Sequence, residues 1–350
     1  MKALVFEGKG CKKLEERHVP KLQVPTDAVV KVLKTTICGT DLHILEGNVP
    51  TVRPGRVLGH EGIGVVHAVG SNVSEFRPGD HVIISCITAC QKCEYCRRGM
   101  YSHCKVGGWV LGNTIDGTQA EYVRIPHADG GLHHLPKDVD EAAALMLSDV
   151  LPTGFECGVL NGDVHPGGSV AIVGAGPIGL AALLTAKLYS PADIIMVDRN
   201  EARLKMAKKL GATHTVHHID VLGIDATSGK VKRHTDDHKG VDTAIEAVGV
   251  PETFELCQQI IAPGGTIANV GVHGHQAPLH LDRLWDHNIT IRTRLVDTVT
   301  TPRLLKSICK CQLDPLQLVT HRSKLAYILD AYDTFEHASE NKALKVVIDV

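Results

Sequence analysis

The chain has 350 residues, too many for one compact core and enough for two domains. Its composition is that of an ordinary globular protein, 43% hydrophobic and 22% charged, with 37 Lys+Arg against 39 Asp+Glu. So even a balance excludes a bulk electrostatic hold on nucleic acid or anionic membrane, and function must come from local sites.

In chain order, Met1 to Gly10 reads as a first strand, without the charged and apolar regions of a secretory signal. Short β-like runs follow as far as about residue 150, among them Ala28 to Leu33, Gly64 to Val69 and Asp80 to Ser85, the last introduced by Pro78-Gly79. Together they predict a small β-barrel-like domain over residues 1–150.

That region holds a dense cysteine lobe. Of 11 cysteines, five crowd between Cys86 and Cys104, which in a reducing compartment argues for metal rather than disulfides. Cys90, Cys93, Cys96 and Cys104 stand as C-x2-C-x2-C-x7-C, a spacing that lets four thiolates close a shell around one structural zinc. Cys86 is left over and reads as a core thiol. Lys92, Arg97, Arg98, His103 and Lys105 around the lobe allow a rival reading as a zinc knuckle on nucleic acid. Only Tyr95 and Tyr101 would stack on bases, and the net charge of −2 disfavours it.

Beyond about Val170 the rhythm becomes strand, helix, strand. Val170 to Val173, Ile194 to Val197, Asp242 to Ala247 and Thr266 to Val270 read as buried parallel strands. An apolar helix is expected at Ile178 to Tyr189, and an amphipathic one after Asn200, ending at Gly211. Ser169 to Ala186 carries no charge and approaches the length of a membrane span, but its glycines and Pro177 interrupt it; no membrane segment and a cytoplasmic location are expected. Thr227 to Lys239 reads as a solvated helix or loop. The alternation predicts a doubly wound sheet over residues 151–287, with 288–350 returning to the first domain and a last strand from Lys345 to Val350.

Gly174, Gly176, Pro177, Ile178 and Gly179 fall where a strand should turn into a helix. The first glycine permits the turn, the second admits a pyrophosphate and the third lets helix pack on strand. Asp198 ends the next strand, 19 positions after Gly179, where an acid accepts from both ribose hydroxyls and repels a 2′-phosphate. NAD(H) is therefore the expected cofactor, with Arg199 able to soften the choice against NADP.

Cys38, His60 with Glu61, and Asp149 have ordinary readings taken singly: a core thiol, a hydrogen-bonded imidazole, a helix cap. Spacing does not join them. The Cys38-Gly39-Thr40-Asp41-Leu42-His43 stretch, Gly59-His60-Glu61, the four-cysteine lobe, the Gly174 turn and the terminal strand, in that order, resemble the zinc-containing medium-chain dehydrogenase/reductase family along essentially the whole chain. Asp149, where many relatives carry cysteine, resembles the tetrameric NAD(P)-dependent secondary-alcohol dehydrogenases.

The resemblance implies an α/β fold: a GroES-like β-barrel catalytic domain plus a doubly wound, parallel-sheet Rossmann coenzyme domain. It implies a homotetrameric alcohol dehydrogenase with two Zn2+ per chain, the catalytic one held by Cys38, His60 and Asp149, with Glu61 joining when substrate is absent. Thr40 and His43 would relay the alcohol proton, and Thr40 and Trp109 would meet the substrate. Thr153, Arg203, Val248, Val270, Val272 and Lys345 would contact NAD, Lys345 at the pyrophosphate. A carboxylate at 149 donates less than a thiolate and should leave the zinc a stronger acid. Polyol, diol and amino-alcohol dehydrogenases are the alternatives within the class, and a non-catalytic relative, which would tend to lose these ligands, is the alternative outside it.

Overall fold

A computed structural model describes residues 1–218, 221 and 223–350. The chain divides into two units, one of Met1–Asp149 with Asp297–Val350, the other of Val150–Val296.

The second unit is built on a six-stranded parallel sheet. In spatial order its strands are His214–His217, Asp193–Asp198, Ser169–Val173, Val241–Glu246, Ile261–Asn269 and Thr290–Thr293. The order reverses between Ser169–Val173 and Val241–Glu246, which is the doubly wound topology and creates a crevice at the carboxyl ends of those strands. Val170, Ala171, Ile172, Ile194, Ile195 and Met196 are buried because helices cover the sheet. The helix Glu201–Leu210 starts where Asn200 Oδ1 accepts from the Arg203 N–H at 3.1 Å and stops at Gly211, whose φ of 109° is left-handed.

Two sequence expectations change here. Thr227 to Lys239 is not wholly solvated: the helix Gly223–Lys232 buries Thr227, Ser228 and Val231. Residues 288–296 do not return to the first unit, because Thr290–Thr293 extends the parallel sheet against Thr266–Asn269, so the return begins at Asp297.

The first unit carries a seven-stranded sheet along the path Val319–Lys324, Lys345–Asp349, Ala28–Thr36, Gly62–Val69, His81–Ile84 and Leu132–His134, with Tyr122–Ile125 also on Ala28–Thr36. A smaller sheet joins Cys11–Glu16, Lys2–Gly8 and Arg56–Val57. Ala28, Val30, Val32, Val66, Val82 and Ile84 point into one core by strand alternation. The terminal strand pairs antiparallel with Lys34–Thr36, which carries Lys345 into the interior. Among the described residues no helix is long and apolar enough to cross a membrane.

Candidate metal and nucleotide sites

The four-cysteine lobe folds around one turn of helix, Glu94–Arg97, with Cys93 at its N-cap. The sulfurs of Cys90, Cys93, Cys96 and Cys104 all lie within 4.8 Å of one another, and every cysteine of the chain is a free thiol. Backbone N–H groups are aimed at the sulfurs: Cys90 donates to Cys104 Sγ at 3.3 Å and Cys93 to Cys90 Sγ at 3.4 Å. The amides of Cys96 and Lys105 pull the Cys93 thiol down to about 6, while burial pushes Cys96 up to about 12. Four thiols so close cannot all ionise by themselves, and a divalent cation is what lets them do so. The donor set fits zinc.

The scattered residues also converge. Cys38 Sγ, a His60 ring nitrogen and carboxylate oxygens of Glu61 and Asp149 lie within 4.8 Å of one another. Cys38 lies two residues beyond the strand Ala28–Thr36, at the N-cap of the helix Gly39–Leu45; the Asp41 carboxylate accepts from the Cys38 N–H at 2.9 Å. Gly59 sets His60, since at φ 89° a Cβ would stand 2.6 Å from Gln119 Cγ. Ser148 Oγ bridges the amide and carbonyl of Gly62 and so locks the Asp149 segment to the strand that follows Glu61.

Inside the cluster His60 Nε2 is 3.3 Å and Cys38 Sγ 4.0 Å from Asp149 Oδ2. The other imidazole nitrogen, Nδ1, faces Asp41 Oδ1 at 4.0 Å. Glu61 Oε1 accepts from Lys345 Nζ at 2.8 Å, whereas Glu61 Oε2 is buried with no hydrogen-bond partner. Burial opposes a charged His60, but Asp149, Cys38 and Asp41 outweigh it and hold its pKa well above the ordinary value. Burial raises Glu61 and Asp41, with Lys345 working against it in both. Three carboxylates against one lysine and one imidazole remain short of positive charge. A second divalent cation fits that deficit and the orphaned oxygen.

Thr40 Oγ1 lies 3.7 Å from Cys38 Sγ, at the rim of this group. His43, one helical turn on, is half exposed and pairs with Glu46 at 3.4 Å. Trp109 meets the His60 ring edge-on at 6.2 Å and packs against the core around Leu4, Ile37 and Leu58. Lys345 corrects an expectation: it is 1% exposed, held by Glu61 and by the Ile37 carbonyl at 3.1 Å, so its ammonium is committed inside the first unit and not offered to a pyrophosphate.

Sequence reasoning assigned no role to Asp41, although it stands within the quoted motif, nor to Gln119 and Tyr332. Tyr332 Oη donates to Gln119 Oε1 at 2.9 Å, and Gln119 Nε2 donates to Asp41 at 3.2 Å. This buried chain holds the carboxylate that faces His60. Fixing an imidazole through its far nitrogen is how proteins orient metal-binding histidines. A signal existed in Asp41, an acid three residues after a capping position.

In the second unit the glycine turn has the expected geometry. Gly174 is left-handed at φ 107°, and a Cβ on Gly179 would fall 1.8 Å from the Gly174 carbonyl oxygen. A Cβ on Gly176, by contrast, would meet nothing nearer than Arg203 Nη1 at 4.0 Å, so backbone is open there and a guanidinium stands beside it. Pro177 and Ile178 open the helix Pro177–Ala186, whose first N–H groups face the turn. Asp198 braces the turn: Oδ2 accepts from Ala175 N–H and Oδ1 from Asn200 N–H, both at 2.7 Å. Arg199 is exposed beside it.

Val248 lies over Gly174, and the Gly249 turn packs on the Val272 backbone, with Val248 and Val272 exposed at 48% and 73%. Val270 is half-buried next to them, and Thr153 opens the π-helical stretch Thr153–Leu160. Glu246, unremarked in the sequence, ties these ends together: its Oε1 accepts from the amides of Val248 and Gly249 at 2.9 Å and from Thr253 Oγ1 at 2.7 Å. The crevice and open glycine backbone fit a dinucleotide.

A doubly wound nucleotide unit joined to a β-rich unit with two clusters of metal donors defines a metal-dependent dehydrogenase. Residues 24–137 match the alcohol dehydrogenase GroES-like domain and residues 177–308 the zinc-binding dehydrogenase domain. The chain is 35% identical to an alcohol dehydrogenase of Cupriavidus necator, over 99% of this chain and 98% of that one. It is also 35% identical to the NADP-dependent isopropanol dehydrogenase of Thermoanaerobacter brockii, over 90% and 88%. The solved apo form of zinc dependent alcohol dehydrogenase 2 from Streptococcus pneumonia superposes with a TM-score of 0.95 at 50% identity, covering 100% of this chain and 98% of that one. The chain belongs to the zinc-binding alcohol dehydrogenase family, and it is an oxidoreductase acting on alcohols.

Proposed function

We propose that the chain is an NAD(H)-linked dehydrogenase of small secondary alcohols, with a structural zinc at Cys90, Cys93, Cys96 and Cys104 and a catalytic zinc at Cys38, His60 and Asp149. The observation that carries the reading is the inward cluster of Cys38, His60, Glu61 and Asp149 donors within 4.8 Å. When bound there, zinc supplies a Lewis acid for the alcohol or carbonyl oxygen, and NAD supplies the hydride acceptor.

The chain's residues do the rest. The Asp41 carboxylate faces the Nδ1 side of His60 at 4.0 Å and attracts it electrostatically, while Nε2 faces Asp149. Lys345 restrains one oxygen of Glu61, so that the other remains available as an exchangeable donor. Thr40 Oγ1 accepts the proton of the alcohol as it gives up its own, and His43, at the exposed side of the same helix, receives the released proton and passes it to solvent. Trp109 forms an apolar wall next to His60. In the nucleotide unit, the amides at the head of Pro177–Ala186 take the pyrophosphate, and Arg203 lies beside it. Asp198 accepts from the adenosine ribose and disfavours a 2′-phosphate, which supports NAD over NADP even with Arg199 adjacent. Thr153, Val248, Val270 and Val272 line the nicotinamide half. We further infer a cytoplasmic homotetramer.

The test is a substrate panel run with NAD and with NADP, following reduced nicotinamide. It comprises 2-propanol, 2-butanol, 2,3-butanediol, ethanol, sorbitol and threonine. The reading expects 2-propanol or 2-butanol with NAD to give the highest kcat/KM. A preference for sorbitol, 2,3-butanediol or threonine would move the enzyme to the polyol, diol or amino-alcohol class, and no turnover on any of them would overturn the reading.

A further inference from the structure

Asp149 differs from a thiol donor in carrying two oxygens, so something must decide which one faces the shared centre. Oδ2 is the inward one, near both His60 and Cys38. The outer oxygen, Oδ1, lies 3.6 Å from the sulfur of Cys86. A thiol against a carboxylate is the donor. The same cysteine also holds the backbone, because its N–H donates at 3.0 Å to the Ser148 carbonyl, part of the peptide that leads into Asp149. Cys86 is 3% exposed and stands outside the mutually close donor group.

We propose that Cys86 is a positioning residue for Asp149: its thiol donates to the outer carboxylate oxygen and its amide to the adjoining peptide, which together present Oδ2 to the metal. The inference rests on the catalytic-zinc reading above. Buried cysteine is commonly a small packing residue. Packing alone, however, needs no contact with the carboxylate. A thiolate in place of Asp149 would have a single donor atom and no orientation to select; the carboxylate has one, and the thiol behind it makes the selection.

The experiment measures zinc content and the rate of zinc release to a chromophoric chelator for wild type, Cys86→Ala and Cys86→Ser, with thermal melts alongside. Wild type should hold about two ions and release them in two phases. In Cys86→Ala one phase should accelerate about 10-fold or more while the other is unchanged, the size seen when an outer hydrogen bond to a ligand is lost. Cys86→Ser, whose hydroxyl still donates, should stay within about threefold of wild type. The melts separate packing from positioning: both variants lose the sulfur's packing, so a release rate that changes in Cys86→Ala and is rescued in Cys86→Ser, with no matching difference in melting point, reports the hydrogen bond to the carboxylate. Equal acceleration in both variants, or none in Cys86→Ala, overturns the proposal. A wild type holding only one ion overturns the catalytic-zinc reading and this proposal with it.

Discussion

Breaking the Lys345–Glu61 pair gives a large and specific prediction. Both side chains are 1% exposed and Nζ sits 2.8 Å from Oε1. At an effective dielectric near 20 that separation corresponds to roughly 6 kcal/mol of attraction, which largely offsets the cost of burying the two charges. Lys345→Met removes the cation and leaves Glu61 buried without it, a change that typically costs about 3–5 kcal/mol. At about 2–4 °C per kcal/mol for a unit of this size, the first unit should melt roughly 6–20 °C lower. Glu61→Gln combined with Lys345→Met removes both charges and should recover about half of the loss. Differential scanning calorimetry of the three proteins, with NAD titrations in parallel, provides the assay. A single variant that melts within about 2 °C of wild type, or a double variant no better than the single, would refute the reasoning. A lysine serving the cofactor would instead weaken NAD binding and leave the melting point alone.

Three further outcomes follow from the geometry. Asp198→Ser removes the charge that repels a 2′-phosphate, so the ratio of kcat/KM for NAD over NADP should fall about 10-fold or more; an unchanged ratio places specificity elsewhere. Thr40→Val should cut kcat by about 10²-fold or more while NAD affinity stays within twofold, and wild-type turnover would exclude the hydroxyl from the proton path. Burial lowers the pKa of His133, on the strand Leu132–His134, to about 4 from its usual 6.5. The unfolded chain then takes up the proton first as pH falls, so this contribution is fully present above pH 6.5 and is lost between 6.5 and 4, up to about 3 kcal/mol. His133→Phe should flatten that part of the stability–pH curve, and an unaltered curve would show that His133 is not its source.

The local elements were legible because their signals are local. Apolar runs bounded by glycine and asparagine marked Ser169–Val173, Asp193–Asp198 and Glu201–Leu210 to within a residue or two. The cysteine lobe was readable because its sulfurs come from one short loop. The inward cluster was not, since Cys38 and Asp149 are 111 positions apart and meet only when the sheet of the first unit closes; family resemblance joined them, and periodicity did not. Lys345 shows a different limit. The resemblance took this lysine to the pyrophosphate, and only the pairing of its strand with Lys34–Thr36 shows it turned inward to Glu61. Thr290–Thr293 was missed because an edge strand with exposed arginine and threonine carries little apolar pattern. Cys86 passed for packing because a thiol's partner is invisible in sequence.

Catalysis by this chain requires a cation at the inward cluster. Zinc content of the purified protein measured beside His60→Ala decides it. The expected result is about two ions per chain in wild type and about one in the variant, the four-cysteine ion being retained and turnover lost. A variant that keeps both ions, or a wild type with one, would contradict it.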